Sequence, residues 1–344
     1  MSQFRFLFDR SKTSFEKIPG RLPLGNASLY SMLFLLCCVS PSSLNAQESN
    51  SQQLIWQELS RRSPWVFLGD SNTYSGDYVA MLDAWMEVLP KRPKLLNLGV
   101  SSETASGLSE VDHPFKRPCV HERLSKVLAM TKPGVVFVCY GMNDGIYQPR
   151  SEENFKAYQD GMLKLSLEVR KSGARLVVLT PPLFEPEPVK RSGKLGPAKN
   201  GRYAYFAPAP DYDRVLEEQT QWCLKNQFRA TKVINLHEMM RDQKKIFKQE
   251  DDKFTFSRDG VHFGALAHGL VAEHILSQIG APANLIAAYP SDEALLRSRT
   301  KHQMLRDAYL TATGKNRPGL PAGIPVWLAE KKAVVLDAAA NSQP

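Results

Sequence analysis

The sequence WVFLGDSN at residues 65–72 is the most informative part of this 344-residue chain. Its apolar run predicts a buried β-strand that ends abruptly in Gly-Asp-Ser, and a helical pattern follows. Open α/β folds keep their active sites at the carboxyl ends of parallel strands, so this arrangement places Ser71 at such an edge. Gly-Asp-Ser is also ordinary turn chemistry, and the tripeptide alone does not distinguish a nucleophile from a turn residue.

Strands and helices alternate through the rest of the central region. Further strands are predicted at 94–98, 134–140, 175–179 and 232–236, and helices near 78–89, 122–130, 152–170, 211–225 and 265–279. Residues 183–210 are rich in Pro, Lys and Gly, and residues 241–256 look polar and irregular. This alternation predicts the α/β class, as a three-layer α/β/α flavodoxin-like sandwich around a five-stranded parallel sheet.

The two ends of the chain differ from this central region. Residues 1–46 have a basic leader, a short apolar run and small residues before Gln47, which predicts a signal peptide and export to the periplasm or outside the cell. The apolar run is shorter than the ~20 residues of a membrane span, so no stable span is expected after cleavage, although an uncleaved anchor is the alternative. We expect one α/β domain at 47–288 and a C-terminal helical extension at 289–344.

The formal charge of +9 does not indicate a nucleic-acid-binding protein. Five basic and two acidic residues lie within residues 1–46, and the remaining excess is scattered without a clustered patch. Three cysteines follow residue 46, and a bridge between Cys119 and Cys223 is conceivable but not established by sequence. Neither Cys-x-x-Cys nor His-Glu-x-x-His occurs, so we expect no metal and no cofactor. The oligomeric state stays open.

Several polar turns are predicted to meet at one edge of the sheet. Ser71, Gly99 and Asn143 follow three of the predicted strands, and Asp259-Gly260-Val261-His262 precedes the last core helix. The Asp-x-x-His turn can fold a carboxylate back onto a nearby imidazole. Together these residues supply a nucleophile, a base, an orienting carboxylate and an amide donor, which is the logic of a serine-hydrolase triad.

These blocks resemble the SGNH (GDSL-type) hydrolase family, which has Gly-Asp-Ser, a downstream Gly, Gly-x-Asn-Asp and Asp-x-x-His in this order. The resemblance covers roughly residues 62–280 and implies a metal-free serine esterase. It implies that Ser71 is the nucleophile, His262 the general base and Asp259 the carboxylate that orients it. The implied oxyanion hole consists of the Ser71 N–H, the Gly99 N–H and the Asn143 side-chain amide.

The substrate is less well defined by the sequence. Asn72 stands where the family often has Leu or Ile, which leaves the nucleophile intact. An exported protein of this kind is expected to hydrolyse short acyl esters, acetyl above all, on a small molecule or a polysaccharide. Tyr147, Tyr203 and Tyr205 are candidates for an aromatic rim under a sugar ring, with packing of their loop as the alternative. A lysophospholipase or thioesterase, or a non-catalytic glycan-binding protein on the same fold, are the alternative functions.

Overall fold

Five parallel strands form the centre of the structure, a computed structural model that describes residues 44–340. The strands are β1 (Trp65–Gly69), β2 (Leu95–Asn97), β3 (Val135–Cys139), β4 (Arg175–Leu179) and β5 (Lys232–Ile234). They lie in the order β2-β1-β3-β4-β5, and every neighbouring pair is parallel. This is the strand order of flavodoxin-like folds, and it confirms the predicted fold class.

Helices cover both faces of the sheet. Before β4 they are α1 (Leu44–Ser60), α2 (Ser71–Ser75), α3 (Asp77–Met86), α4 (Leu124–Thr131) and α5 (Glu152–Lys171). After β4 they are α6 (Pro186–Arg191), α7 (Tyr212–Asn226), α8 (Leu236–Glu250), α9 (Ala265–Gln278), α10 (Ala283–Ala287), α11 (Asp292–Thr313) and α12 (Val326–Ala340).

The strands are apolar on both faces because both faces are buried. In β1, Val66 and Leu68 belong to one hydrophobic cluster, while Trp65 and Phe67 belong to the other. Side chains alternate between the faces of a strand, so an uninterrupted apolar run can feed two cores at once. After this buried strand, polar side chains begin at its carboxyl end with Asp70 and Ser71.

The C-terminal helices α11 and α12 help to build the first of these cores. Leu305 and Leu310 of α11 and Ala329 and Ala333 of α12 pack in the same cluster as Val66 of β1. The described residues from Ser49 onward belong to one compact unit. Within the predicted extension the structure has two helices, Asp292–Thr313 and Val326–Ala340, and both contribute directly to the hydrophobic interior.

Charged side chains tie the C-terminal helix α11 to α3. Asp83 of α3 is 2% exposed, and its Oδ2 lies 2.5 Å from Lys301 Nζ and accepts a hydrogen bond of 2.9 Å from Ser298 Oγ. Lys301 Nζ also contacts Asp337 of α12 at 2.6 Å. Each buried charge has an opposite partner here, which is the condition for tolerating charges in a protein interior.

A second contact joins α11 to the short helix α2. The Arg306 guanidinium lies 3.9 Å from the centre of the Tyr74 ring, and its Nη1 donates to the Tyr74 carbonyl at 2.6 Å. A guanidinium can stack on an aromatic face and donate at its edge simultaneously, and Arg306 does both. The extension therefore supports the helix that directly follows β1.

Two sequence-based expectations for the fold are wrong. Residues 241–256 were expected to be irregular, whereas α8 runs through to Glu250, and β5 ends at Ile234 rather than at 236. The reason is the cap: the side chain of Asn235 accepts from the Glu238 N–H and starts the helix early. Met240 then anchors the helix in a small cluster with Phe256.

The sequence also raises expectations about a disulfide and about the N-terminal region. Cys119, Cys139 and Cys223 are free thiols, so the conceivable Cys119–Cys223 bridge is not formed. Residues 1–43, most of the predicted signal peptide, lie outside the described residues, and export stays a prediction. No helix within residues 44–340 has the length and apolar character needed to cross a membrane.

We predict that Asp83→Ala destabilises the protein strongly, because it leaves Lys301 buried beside fewer compensating charges. Removing one partner of a buried ion pair typically costs about 3–5 kcal/mol in the free energy of unfolding. Urea denaturation measures this change. The matched control is Asp242→Ala, which breaks an exposed pair with Lys245 and should change stability by less than about 0.5 kcal/mol. Equal effects of the two substitutions would contradict this account of the buried cluster.

Candidate active site

Ser71 is the first residue of α2, directly after the end of β1. Asp70 precedes it as the N-cap, and the Asp70 side chain accepts a hydrogen bond of 3.0 Å from the Asn72 N–H. Because the first N–H groups of a helix have no intrahelical acceptor, the Ser71 N–H lies at a position suited to bind an anion. The sequence thus delivers both the hydroxyl and an N–H donor of Ser71 to the sheet edge.

The Ser71 side chain contacts His262 and, through it, Asp259. His262 Nε2 lies 2.9 Å from Ser71 Oγ, and His262 Nδ1 lies 2.7 Å from Asp259 Oδ2. These contacts are consistent with an imidazole that donates from Nδ1 to the carboxylate and accepts the Ser71 hydroxyl proton at Nε2. The His262 and Asp259 side chains are 54% and 55% exposed, so the site opens to solvent.

The Asp259 carboxylate is fixed by several donors. Its Oδ1 accepts from Ser257 Oγ at 2.8 Å, from the Val261 N–H at 3.0 Å and from the His262 N–H at 2.8 Å. Burial raises the pKa of Asp259, but the hydrogen bonds and charge of His262 outweigh that effect and hold the pKa well below its ordinary range. Asp259 is therefore a carboxylate that faces the imidazole in a single orientation.

The buried side chain of Glu185 binds the backbone of the loop that carries Asp259. The Glu185 carboxylate is 1% exposed and accepts from the Phe256 N–H at 3.2 Å and the Ser257 N–H at 2.7 Å. The Glu185 N–H in turn donates to the Gly260 carbonyl at 2.9 Å. Gly260 has a φ of +87°, and a Cβ there would lie 2.5 Å from the Glu185 carbonyl oxygen. This position therefore requires glycine.

Asn143 lies in the turn after β3 and is oriented by two partners. Its Nδ2 donates to the Glu103 carbonyl at 3.2 Å, and its Oδ1 accepts from the Tyr147 hydroxyl at 3.1 Å. A side-chain amide has two N–H donors, so one remains beyond the Glu103 contact. Tyr147 is only 3% exposed and stacks on Tyr212, which corrects the expectation that it forms an exposed rim.

Glu103, whose carbonyl accepts the hydrogen bond from Asn143, is itself held by its side chain. Both carboxylate oxygens of Glu103 accept from Arg123, at 2.6 and 2.7 Å, and the Tyr140 hydroxyl adds a third bond at 2.6 Å. All three side chains are buried. A buried ion pair with hydrogen bonds to both carboxylate oxygens holds Glu103 in place, and with it the carbonyl that accepts from the Asn143 amide.

Gly99 brings the end of the second strand close to α2. A Cβ at this position would lie 2.5 Å from the Tyr74 nitrogen and 2.7 Å from the Thr73 carbonyl carbon, so a side chain has no space. The Gly99 N–H donates to Asn97 Oδ1 at 3.0 Å. Its expected role as an oxyanion donor would require this hydrogen bond to be shared or broken.

The loop that contains Glu110 and Arg117 and the loop that contains Tyr205, together termed the rim, lie next to each other. The buried pair Arg117–Glu110 joins them, because Glu110 Oε1 also accepts from the Tyr205 N–H at 3.2 Å. The Arg117 guanidinium lies 5.5 Å from the centre of the Tyr147 ring, which connects the rim to the Asn143 turn. Tyr205 and Phe206 are 45% and 38% exposed, whereas Tyr203 is half-buried against the loop cluster.

Asp70 and Asp144 are buried carboxyl groups that adjoin Ser71 and Asn143 in the sequence. Burial raises the pKa of Asp70 to about 7 and that of Asp144 to about 6, although backbone N–H donors partly offset this effect. Asp144 Oδ1 accepts from the N–H groups of Ala105 and Ser106. Within residues 44–340, no three His, Cys, Asp or Glu side chains converge in a way that could hold a metal ion.

Comparison with protein families identifies the domain that contains these residues. Residues 67–270 match the GDSL-like Lipase/Acylhydrolase family, which covers more than half of the chain. The chain belongs to this GDSL-like family. It is accordingly a hydrolase of acyl esters. Among curated proteins, none matches the chain.

Solved structures that resemble this GDSL-like chain are remote from it. One is a gut microbial diltiazem-metabolizing enzyme, at 18% identity and a TM-score of 0.46, in which 63% of this chain matches 46% of that one. This chain thus spans less than half the length of that enzyme. Another is Axe2, an acetylxylan esterase from Geobacillus stearothermophilus, at 19% identity and a TM-score of 0.42, with 63% of this chain matching 94% of that one.

The four blocks that suggested the GDSL-like family lie where the sequence predicts them, at the carboxyl ends of strands or before a core helix. Ser71, Asp259 and His262 are in direct contact, and Asn143 and Gly99 lie in the turns that follow β3 and β2. Sequence reasoning did not identify Glu185, which lies in a Pro-rich stretch without a motif. It also gave no role to Asn72, although the departure of this residue from Leu or Ile was a usable signal.

We predict that Asp70→Asn makes the GDSL-like protein less sensitive to rising pH. The folded-state pKa of Asp70, about 7, lies above its ordinary value of 3.8, so the folded state retains a proton that the unfolded chain releases. Stability from this group is fully present below about pH 4 and is lost as pH rises through about 7. Between those values, the free energy of unfolding of wild type should fall relative to that of Asp70→Asn.

Urea unfolding at several pH values measures this difference. The control is Asp252→Asn at an exposed aspartate, whose stability should follow that of wild type at every pH. A constant difference between wild type and Asp70→Asn from pH 4 to pH 8 would contradict the assignment of a raised pKa.

Proposed function

We propose that this protein is a serine esterase in which Ser71 is the nucleophile, His262 the general base and Asp259 the orienting carboxylate. The observation that carries the proposal is the continuous hydrogen-bonded row from Ser71 Oγ through the imidazole to Asp259 Oδ2, at 2.9 and 2.7 Å. A weak nucleophile becomes reactive when a positioned base can take its proton during attack. The fixed Asp259 carboxylate supports the imidazole when it becomes charged.

The reaction follows from this row. Ser71 Oγ attacks the ester carbonyl carbon while its proton moves to His262 Nε2, and a tetrahedral oxyanion forms. His262 then donates that proton to the leaving alkoxide, which departs as an alcohol and leaves an acyl group on Ser71. A water molecule, deprotonated by His262, attacks the acyl carbonyl. Collapse of the second tetrahedral species releases the carboxylic acid and returns the proton to Ser71.

The oxyanion in this proposal is stabilised by the Ser71 N–H and the remaining N–H of the Asn143 amide. Support for Asn143 comes from its two partners, which hold the amide in one orientation before substrate binds. Donors that are oriented in advance stabilise developing charge without reorganisation. Gly99 would join them as a third donor by sharing its N–H between Asn97 and the oxyanion.

We further propose a short acyl group, acetyl above all, on a carbohydrate or a similarly bulky alcohol. The half-exposed triad supports this, since an open site can admit a large alcohol portion without enclosing a long acyl chain. The exposed rings of Tyr205 and Phe206 supply apolar faces of the kind on which sugar rings stack. A polysaccharide ester is then the natural candidate for an exported protein of this type.

The direct test of this function compares p-nitrophenyl acetate with p-nitrophenyl octanoate, using wild type and Ser71→Ala. We expect acetate to be preferred and Ser71→Ala to lower kcat by roughly 10⁶-fold, because loss of the nucleophile disables the whole triad. Release of acetate from an acetylated polysaccharide would extend the result to carbohydrate. Preference for octanoate would favour a lipid hydrolase, and absence of all turnover would favour a glycan-binding protein.

For the oxyanion hole, we predict that Asn143→Ala lowers kcat by on the order of 100- to 1,000-fold, because one donor to the transition state is lost. Tyr147→Phe removes only the hydroxyl that orients the amide, so we expect a smaller loss of kcat. Steady-state kinetics with p-nitrophenyl acetate distinguish the two variants. An unchanged kcat in Asn143→Ala would exclude this residue as an oxyanion donor.

A further inference from the structure

Asn72 joins the helix that carries Ser71 to the loop that carries His262. Its Nδ2 donates to the Val261 carbonyl at 3.0 Å, and its Oδ1 accepts from the Phe263 N–H at 3.0 Å. These backbone groups belong to the residues immediately before and after His262. A single side-chain amide therefore holds the chain on both sides of the imidazole, and it does so from a position that is 2% exposed.

The chemistry of the contact calls for an amide. A primary amide presents a donor and an acceptor at the end of one short side chain, whereas an ionised carboxylate presents acceptors alone and an aliphatic group neither. The Asn72 backbone is itself fixed, because its N–H donates to Asp70 Oδ1 at 3.0 Å. The amide thus transfers the position of the rigid α2 terminus to the His262 loop.

The His262 loop needs such a tether at this point. Glu185 holds the beginning of the loop at Phe256 and Ser257, and Asp259 fixes how the imidazole is rotated. Neither contact connects the loop to the helix of the nucleophile. Among the described residues, the Asn72 amide makes that connection next to the half-exposed imidazole.

We propose that Asn72 is a positioning residue that sets the distance between Ser71 Oγ and His262 Nε2. The inference rests on the proposed function, because the role assigned to Asn72 is to hold His262 in place for the proton transfer from Ser71. Misplacing a catalytic group by about 1 Å can cost on the order of 100-fold in rate. The amide therefore acts on catalysis through the imidazole and leaves substrate binding unaffected.

The test uses Asn72→Leu, which keeps the number and branching of side-chain heavy atoms and removes both hydrogen bonds. We expect kcat for p-nitrophenyl acetate to fall by about 10- to 100-fold, with KM changed by less than about two-fold. The matched control is Ser291→Ala, which removes the side-chain cap on the Ala294 N–H at the start of α11. This control should lower Tm and leave kcat unchanged.

A second measurement separates positioning from a general structural effect. In a His262→Ala background the residual rate should be the same with Asn72 or Leu at this position, because the group being positioned is gone. An equal fold-loss in both backgrounds would overturn the inference, as would wild-type kcat in Asn72→Leu. If Asn72→Leu does not fold, Asn72→Asp replaces it, since the carboxylate keeps the acceptor for Phe263 and should still lower kcat.

The outcomes also distinguish this inference from the proposed function. Wild-type activity in Ser71→Ala would reject the serine mechanism itself, whatever Asn72→Leu does. Loss of activity in Ser71→Ala together with wild-type kcat in Asn72→Leu would keep the mechanism and reject only the positioning role.

Discussion

The short helix α2 lies so close to Gly69, at the end of β1, and to Gly99, just after β2, that neither position has space for a side chain. A Cβ on Gly69 would lie 2.2 Å from Thr73 Oγ1, and one on Gly99 would lie 2.5 Å from the Tyr74 nitrogen. This steric constraint fixes where α2 begins, and hence where Ser71 stands relative to the sheet. Every other group of the site is arranged around that position.

Each reactive side chain is supported by a group that binds backbone atoms. Asn72 binds the backbone on both sides of His262, and Glu185 binds the N–H groups that lead to Asp259. The Glu103–Arg123 pair fixes the carbonyl that holds Asn143. Contacts to backbone atoms fix the course of a loop whatever the rotamers of its side chains, so they can keep a solvent-exposed site ordered. Helix α11 adds to this support, because Arg306 stacks on the Tyr74 ring and donates to the Tyr74 carbonyl.

The fold class and the contacts among Ser71, His262 and Asp259 could be predicted because both are signalled by short sequence blocks. The alternation of strands and helices predicts the parallel five-stranded sheet, and the four short blocks predict the contacts among the three side chains. The helix α8 was missed because its start depends on the Asn235 cap and its apolar face on a distant cluster. Glu185 was missed because its partners lie some 70 residues away, which no local spacing reveals. The burial of Tyr147 could not be predicted because it depends on Tyr212, which lies in α7 and is distant in the sequence.

The central claim is that Ser71, activated by His262, is the group that becomes acylated. The most direct measurement is intact-mass and peptide mass spectrometry of the protein after reaction with a fluorophosphonate, which forms a stable adduct with an activated serine. The account predicts one adduct, on the peptide that contains Ser71, and much slower labelling in His262→Ala. An adduct on another residue, or equal labelling rates with and without the imidazole, would contradict it.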